Sequence, residues 1–150
     1  LGAEVTGLCS GKNMEFCKKL GADNVFDYSK DGLAGSGKKF DVFFDAAAKT
    51  NFSKSKMFLK KRGIYITTIP NFNVIFNRIF NFIPFRKRSN YIMVKSSGID
   101  LAMLKGFVVT GDLKPVIEKI FTIENIAEAQ RLSESGNIKG KIAIKIDFKN

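Results

Sequence analysis

The chain has 150 residues, one domain's worth, with 45% hydrophobic and 26% charged residues, ordinary proportions for a globular protein that buries a core. It has no histidine and two cysteines, Cys9 and Cys17, which excludes a disulfide framework and leaves too few ligands for zinc, and no run of about 18 apolar residues predicts a transmembrane helix. The net charge of +11 sits in the middle third, where residues 46–99 hold eleven Lys and Arg and no acid, a one-signed field that favours an anionic partner.

Strand-like and helix-like segments alternate from end to end, the pattern of an α/β domain with a parallel sheet. Glu4–Cys9 predicts a strand, Lys12–Leu20 a helix that Gly21 terminates, and Asn24–Asp27 a second strand, so the opening is a βαβ unit. Phe40–Asp45 (FDVFFD) predicts the next strand, Phe52–Lys61 a helix, Gly63–Ile69 (GIYITTI) a strand and Tyr91–Lys95 (YIMVK) another. These strands are close to continuously apolar, as strands covered on both faces are. Pro70–Asn90, with Pro70, Pro84, five Phe and several Asn, reads as irregular. Ser97 and Asp100 make a capping-box-like start to a helix with Leu101, Leu104, Phe107 and Val108 on one face and Gly111 at its end. Val116–Phe121 predicts a strand. Thr122 is placed as N-cap of a helix over Glu124–Ser135, with Phe121 and Ile126 as a hydrophobic staple, and Gly140–Ile146 is the last strand.

Three stretches carry candidate chemistry. Ser10-Gly11-Lys12 follows the first strand of this chain, which reads as the second strand of a doubly wound fold, whose end meets the adenine ribose of a dinucleotide. An Asp or Glu there would bind the ribose 2′-OH and repel a 2′-phosphate; a hydroxyl, a flexible Gly and a cation suit the phosphate instead. Tyr28, after the next strand, adds a phenolic donor. The plainer alternative is an ordinary turn with a solvated Lys. Asp45-Ala46-Ala47-Ala48 and Thr67-Thr68-Ile69-Pro70 stand at the C-terminal ends of two strands, where small residues admit a flat ligand or simply pack. Lys54, Lys56, Lys60, Lys61 and Arg62, on the predicted helix and its end, read as a solvated face. Val74–Arg88 (VIFNRIFNFIPFRKR) fits a substrate pocket or subunit interface, with an anionic bilayer as the alternative.

The motifs VTGLCSGKN, LGADNVFDY, FDVFFDAAAK, LKKRGIYITT, VKSSGIDLAMLKGFVVTGDLKPVIEKIF and IAEAQRLSESGNIKGKIAIKI run from Val5 to Ile146. In this order they resemble the C-terminal half of a medium-chain dehydrogenase/reductase of the zinc-independent, quinone-oxidoreductase-like branch. The resemblance implies an α/β fold with an incomplete Rossmann-type doubly wound parallel sheet lacking its first, central strand and glycine-rich loop. It implies a partial NADP-binding domain over residues 1–112 and a segment returning to the catalytic domain over 113–150. In the strand order 3-2-1-4-5-6 the missing strand lies between Glu4–Cys9 and Phe40–Asp45, which would leave both with open edges. The implied cofactor is NADPH, and the implied substrates are quinones or α,β-unsaturated carbonyls. Ser10, Lys12 and Tyr28 match the 2′-phosphate positions. Ala46, Ala47, Ala48, Thr67, Thr68 and Ile69 match loops along the cofactor, and Ile92, Met93 and Val94 match the stretch beside the nicotinamide. Lys141 matches a position near the cofactor at the domain junction. No catalytic residue and no metal ligand is expected, and a fragment inactive by itself is the expected state. The expected location is cytoplasmic, with a homo-oligomer and a peripheral membrane contact left open. A second reading is a basic module that binds an anionic surface through residues 46–99, a membrane ahead of nucleic acid.

Overall fold

In the computed structural model, which describes residues 2–30, 32–84 and 86–146, every strand pairing among those residues is parallel. The chain divides into two compact units, Leu1–Val94 and Lys95–Asn150.

The first unit opens with β1 (Thr6–Cys9), a short 3-10 turn over Gly11–Asn13, α1 (Met14–Lys19) and β2 (Asn24–Asp27). Thr6 pairs with Asn24 and Cys9 with Asp27. A second sheet has the order β3 (Phe40–Asp45), β4 (Leu59–Thr67), β5 (Arg88–Tyr91). Among the described residues β1 pairs only with β2 and β3 only with β4, so each presents an open edge, as expected of a sheet without its central strand.

The predicted helix Phe52–Lys61 is much shorter. α2 covers Phe52–Ser55, a 3-10 turn covers Lys56–Phe58, and Lys60, Lys61 and Arg62 belong to β4. Strand pairing overrides the local helical tendency: Leu59 pairs with Phe40, and the Lys60 ammonium reaches the Asp41 carboxylate at 2.8 Å. Two residues along β3, Phe40 to Val42, are then matched by five along β4, Leu59 to Ile64. The surplus is absorbed in a bulge where Arg62 adopts a φ of 67°. Phe52, Leu59, Tyr65 and Val74 form the core, with Phe43 and Tyr91 packed against it. The rings of Phe43 and Phe52 stand 6.0 and 6.1 Å from that of Tyr65, and each such buried side chain is worth about 1.5–3 kcal/mol.

Pro70–Asn90 is not irregular throughout. It contains α3 (Phe72–Arg78), started by Asn71, whose side-chain oxygen accepts the Val74 N–H at 3.1 Å. The strand expected over Tyr91–Lys95 lies earlier, because its partner β4 ends at Thr67 opposite Tyr91.

The second unit holds α4 (Gly98–Val109), β6 (Ile117–Thr122), α5 (Ile126–Glu134) and β7 (Lys141–Lys145), with β6 and β7 paired. Ser97 caps α4 by accepting the Asp100 N–H at 3.2 Å, and Gly111 ends the turn after it at a φ of 81°. The face predicted for burial is exposed at Leu101, Leu104, Phe107 and Val108, and so are Ile99, Met103 and Val109. Thr122 makes no cap bond: a 3-10 turn over Ile123–Asn125 intervenes, and the hydroxyl binds the Glu124 carboxylate, holding it below the usual range. Phe121 is buried, whereas Ile126 stays half-exposed.

Candidate functional site

The register of the second sheet places Asp45 opposite Thr67 and Thr67 opposite Tyr91. The segments that follow these three residues therefore leave from one edge of the sheet, the carboxyl edge where parallel α/β sheets bind ligands. Asp45 is buried and accepts the N–H groups of Lys49 at 3.1 Å and Thr50 at 3.0 Å and the Tyr65 hydroxyl at 2.9 Å. It thereby folds 46–50 into a closed loop in which Ala48 takes a φ of 50°. Burial, and then the hydrogen bond and charge of Asp45, push the Tyr65 phenol up to about 12.

Thr68 donates its hydroxyl to the Ala46 carbonyl at 3.1 Å, tying two of the predicted loops together. Thr67 uses its own hydroxyl on the Ile69 backbone N–H at 3.3 Å, and Ile92 donates its N–H to the Thr67 carbonyl at 2.9 Å. Ala46, Ala47, Ala48, Thr67, Thr68, Ile69 and Ile92 thus gather at one edge. Met93 and Val94 follow Ile92 and are exposed.

On the first sheet Tyr28 donates its N–H to the Cys9 carbonyl at 3.0 Å, and its ring is 61% exposed. Ser10 precedes the 3-10 turn, its carbonyl taking the Asn13 N–H at 2.8 Å, and Lys12 lies exposed on that turn. The group that sequence reasoning missed is Asp27. Its nearly buried carboxylate accepts the Ser29 hydroxyl at 2.5 Å, the Ser29 N–H at 2.9 Å and a hydrogen bond from Gly11. The Ser29 bonds first, then the charge of Lys30 and the Gly11 bond, hold it below the usual carboxylate range. A Cβ at Gly11 would lie 2.6 Å from its Oδ2, so glycine permits this approach. The one signal in the sequence was an acid at a strand end, two residues before a serine. Burial, then hydrogen bonding to Cys17, push the Cys9 thiol up to about 11, away from the thiolate form.

Between the open edges of β1 and β3 lies a largely apolar cavity of about 720 Å³. Thr6 and Leu8 line it from β1, Val42 and Phe44 from β3, and Tyr28 shares it with Ala46 and Ala47. Ser10 and Lys12 are not among its lining residues. Lys141 stands in the second unit, as the first residue of β7.

A parallel α/β sheet with small-residue loops along its carboxyl edge is the architecture of nucleotide-binding domains. The sequence profile of the zinc-binding dehydrogenase family matches residues 20–144. The chain belongs to that family, in the zinc-independent, quinone-oxidoreductase-like branch of the medium-chain dehydrogenases/reductases. It is 32% identical over 146 residues to the chloroplastic quinone-oxidoreductase QR1 of Triphysaria versicolor, covering 94% of this chain and 44% of that protein. It is 30% identical to a chloroplast envelope quinone oxidoreductase homolog of Arabidopsis thaliana, covering 95% of this chain and 45% of that protein. The fold is that of the quinone oxidoreductase from Coxiella burnetii, with a TM-score of 0.79 at 21% identity over 97% of this chain and 46% of that one. The chain therefore spans less than half the length of the curated relatives it matches.

The residues present do not fit the zinc ion in the family's name. The chain has no histidine, and among the described residues no three Cys, Asp or Glu converge where a metal ion would sit.

Proposed function

We propose that the chain is the cofactor-binding part of an NADPH-dependent oxidoreductase that reduces the conjugated carbonyl of a quinone or enone. The observation that carries this reading is the row Asp45–Thr67–Tyr91, from which three segments leave one sheet edge beside a cavity shared with Tyr28. Relatives named as quinone oxidoreductases, an NAD(P)H oxidoreductase and a trans-enoyl reductase support a nicotinamide cofactor and a conjugated acceptor.

The residues fit that cofactor. Ala46 to Ala48 and Thr67 to Ile69 bring backbone and small side chains along the ribose and pyrophosphate, and Ile92 to Val94 give an apolar wall to the nicotinamide. Ser10, Lys12 and Tyr28 hold the 2′-phosphate, while Asp27 has its carboxylate engaged by Ser29 and Gly11 rather than turned to a ribose hydroxyl. Lys141 serves the cofactor at the junction with a catalytic domain, to which residues 113–150 return. When bound, the cofactor supplies the hydride; the chain binds it, orients it and excludes water. No residue here is placed as general acid, so the chain alone binds without turnover. The groove between β1 and β3 suits a further parallel strand, whose backbone would meet both rows of N–H and C=O groups at once.

Calorimetry of the chain with NADPH, and NADH as control, tests the reading. Micromolar binding that favours NADPH is expected. Lys12→Glu should weaken NADPH roughly ten- to a hundredfold, the worth of a charge-assisted hydrogen bond, and leave NADH nearly unchanged. Equal loss of both cofactors removes Lys12 from the phosphate site, and no binding by a folded chain overturns the function.

A further inference from the structure

A second surface lies on α3, away from the cofactor reading and independent of it. α3 buries only Val74. Phe72, Ile75, Phe76 and Ile79, at the i, i+3, i+4, i+7 spacing of one helical stripe, are all exposed, Phe72 by 80% and Ile79 by 63%. Phe82, beyond the helix, is 80% exposed as well. The rings are held in place by one another: Phe72 stacks on Phe76 at 6.2 Å, and Phe76 meets Phe80 edge-on at 5.4 Å.

Cations of the same segment lie nearby, and neutral groups hold them. The Arg86 guanidinium lies 4.9 Å from the Phe80 ring centroid and donates to Asn77 at 3.1 Å, while Arg78 lies 5.2 Å from that of Tyr91. Lys87 donates to the Lys56 carbonyl at 2.8 Å and Arg88 to the Arg62 carbonyl at 3.3 Å. The ion pairs among the described residues join Lys38 to Glu4, Lys60 to Asp41 and Lys119 to Glu128, so these four cations meet no carboxylate. No acid occurs anywhere in residues 46–99.

We propose that this face docks on an anionic lipid bilayer, the apolar stripe entering the boundary between headgroups and acyl chains while Arg78, Arg86, Lys87 and Arg88 meet lipid phosphates. Charge complementarity selects the partner, since a segment that combines an exposed apolar stripe with cations lacking a carboxylate partner has the composition of interfacial segments. Nucleic acid fits less well, because half of the stripe is aliphatic, Ile75 and Ile79, which gives bases no ring to stack on. The docking is peripheral: among the described residues no helix is long and apolar enough to cross a membrane.

The chain has no tryptophan, so Phe82→Trp makes a single local reporter. Its emission should shift to the blue with vesicles of phosphatidylcholine and phosphatidylglycerol at low salt, and not with phosphatidylcholine alone. Added salt should reverse the shift. Replacing Arg86, Lys87 and Arg88 by Gln should lower vesicle partitioning roughly a hundredfold, three basic contacts at the surface being removed. Phe72→Glu, at a site exposed enough to leave folding intact, should abolish the shift, and thermal midpoints equal to the parent's establish that both variants fold. Equal binding to neutral vesicles, vesicle binding without an emission shift, or retention by duplex DNA but not by vesicles would each overturn the proposal. So would a blue shift that rises with protein concentration in the absence of lipid, which would make the face a contact between copies of the chain.

Discussion

Single side chains at the strand ends do the organising, and two carboxylates stand out. Asp27 has a folded-state pKa below its unfolded value, so its contribution to stability is full above the ordinary carboxylate range and is lost as pH falls through the folded value. Asp27→Asn should therefore flatten the acid limb of a plot of urea midpoint against pH; an unaltered acid limb would remove Asp27 from the fold's energetics. Tyr65 shows the opposite sign. Its phenol is raised to about 12, so its contribution is full below the unfolded value of about 10 and fades as pH rises toward the folded one. Tyr65→Phe should cost about 1.5–3 kcal/mol, the range for a hydrogen bond to a charged group, by leaving Asp45 one donor short, and it should remove part of the alkaline destabilisation seen in urea titrations. The small residues of the 46–48 loop were legible in the sequence. The role of Asp45 was not, because its three donors come from Lys49, Thr50 and Tyr65, the last 20 positions away.

Elements were legible where the local pattern and the tertiary pairing agree. Asn24–Asp27 and Phe40–Asp45 are strands with the expected bounds, apolar runs that end in an acid anchoring the next turn. Lys60 to Arg62 went the other way because Leu59 before them pairs with Phe40, Ile64 after them pairs with Val42, and Lys60 reaches the Asp41 carboxylate, which together outweigh helix propensity in a cationic run. α3 was hidden by flanking prolines and by its exposed apolar stripe, yet Asn71 gives it a start. Asn71→Ala should lower stability by about 1 kcal/mol, as loss of an N-cap does, and reduce helical ellipticity. In the second unit Gly140 sits at a φ of 109°, where a Cβ would press on the Val116 carbonyl and come within 2.9 Å of the Val116 Cβ. Gly140→Ala should destabilise by about 1–3 kcal/mol, read as a lower urea midpoint; an unchanged midpoint would mean that the β6–β7 turn relaxes without loss.

At the scale of the molecule, the described residues form two units with three small parallel sheets, and within the first unit a groove lies between two strand edges left unpaired among those residues. Open, apolar edges of this kind invite pairing between chains. Sedimentation velocity should find association that rises with concentration, and Val42→Lys, which places a charge on the β3 edge, should suppress it; a wild-type chain that stays monomeric throughout would mean the edges are self-protected. The sequence by itself determined the family, the α/β class, the parallel order of the strands and the loops that line the carboxyl edge. The family follows from the order of the motifs; the other properties follow from local chemistry, from apolar runs of strand length and from small residues placed directly after them. Only the tertiary structure decided that Asp27 closes on Gly11, that Lys60 to Arg62 join a strand, and that the α3 stripe stays uncovered. Each of these depends on groups far apart in the chain, whose meeting no local pattern encodes.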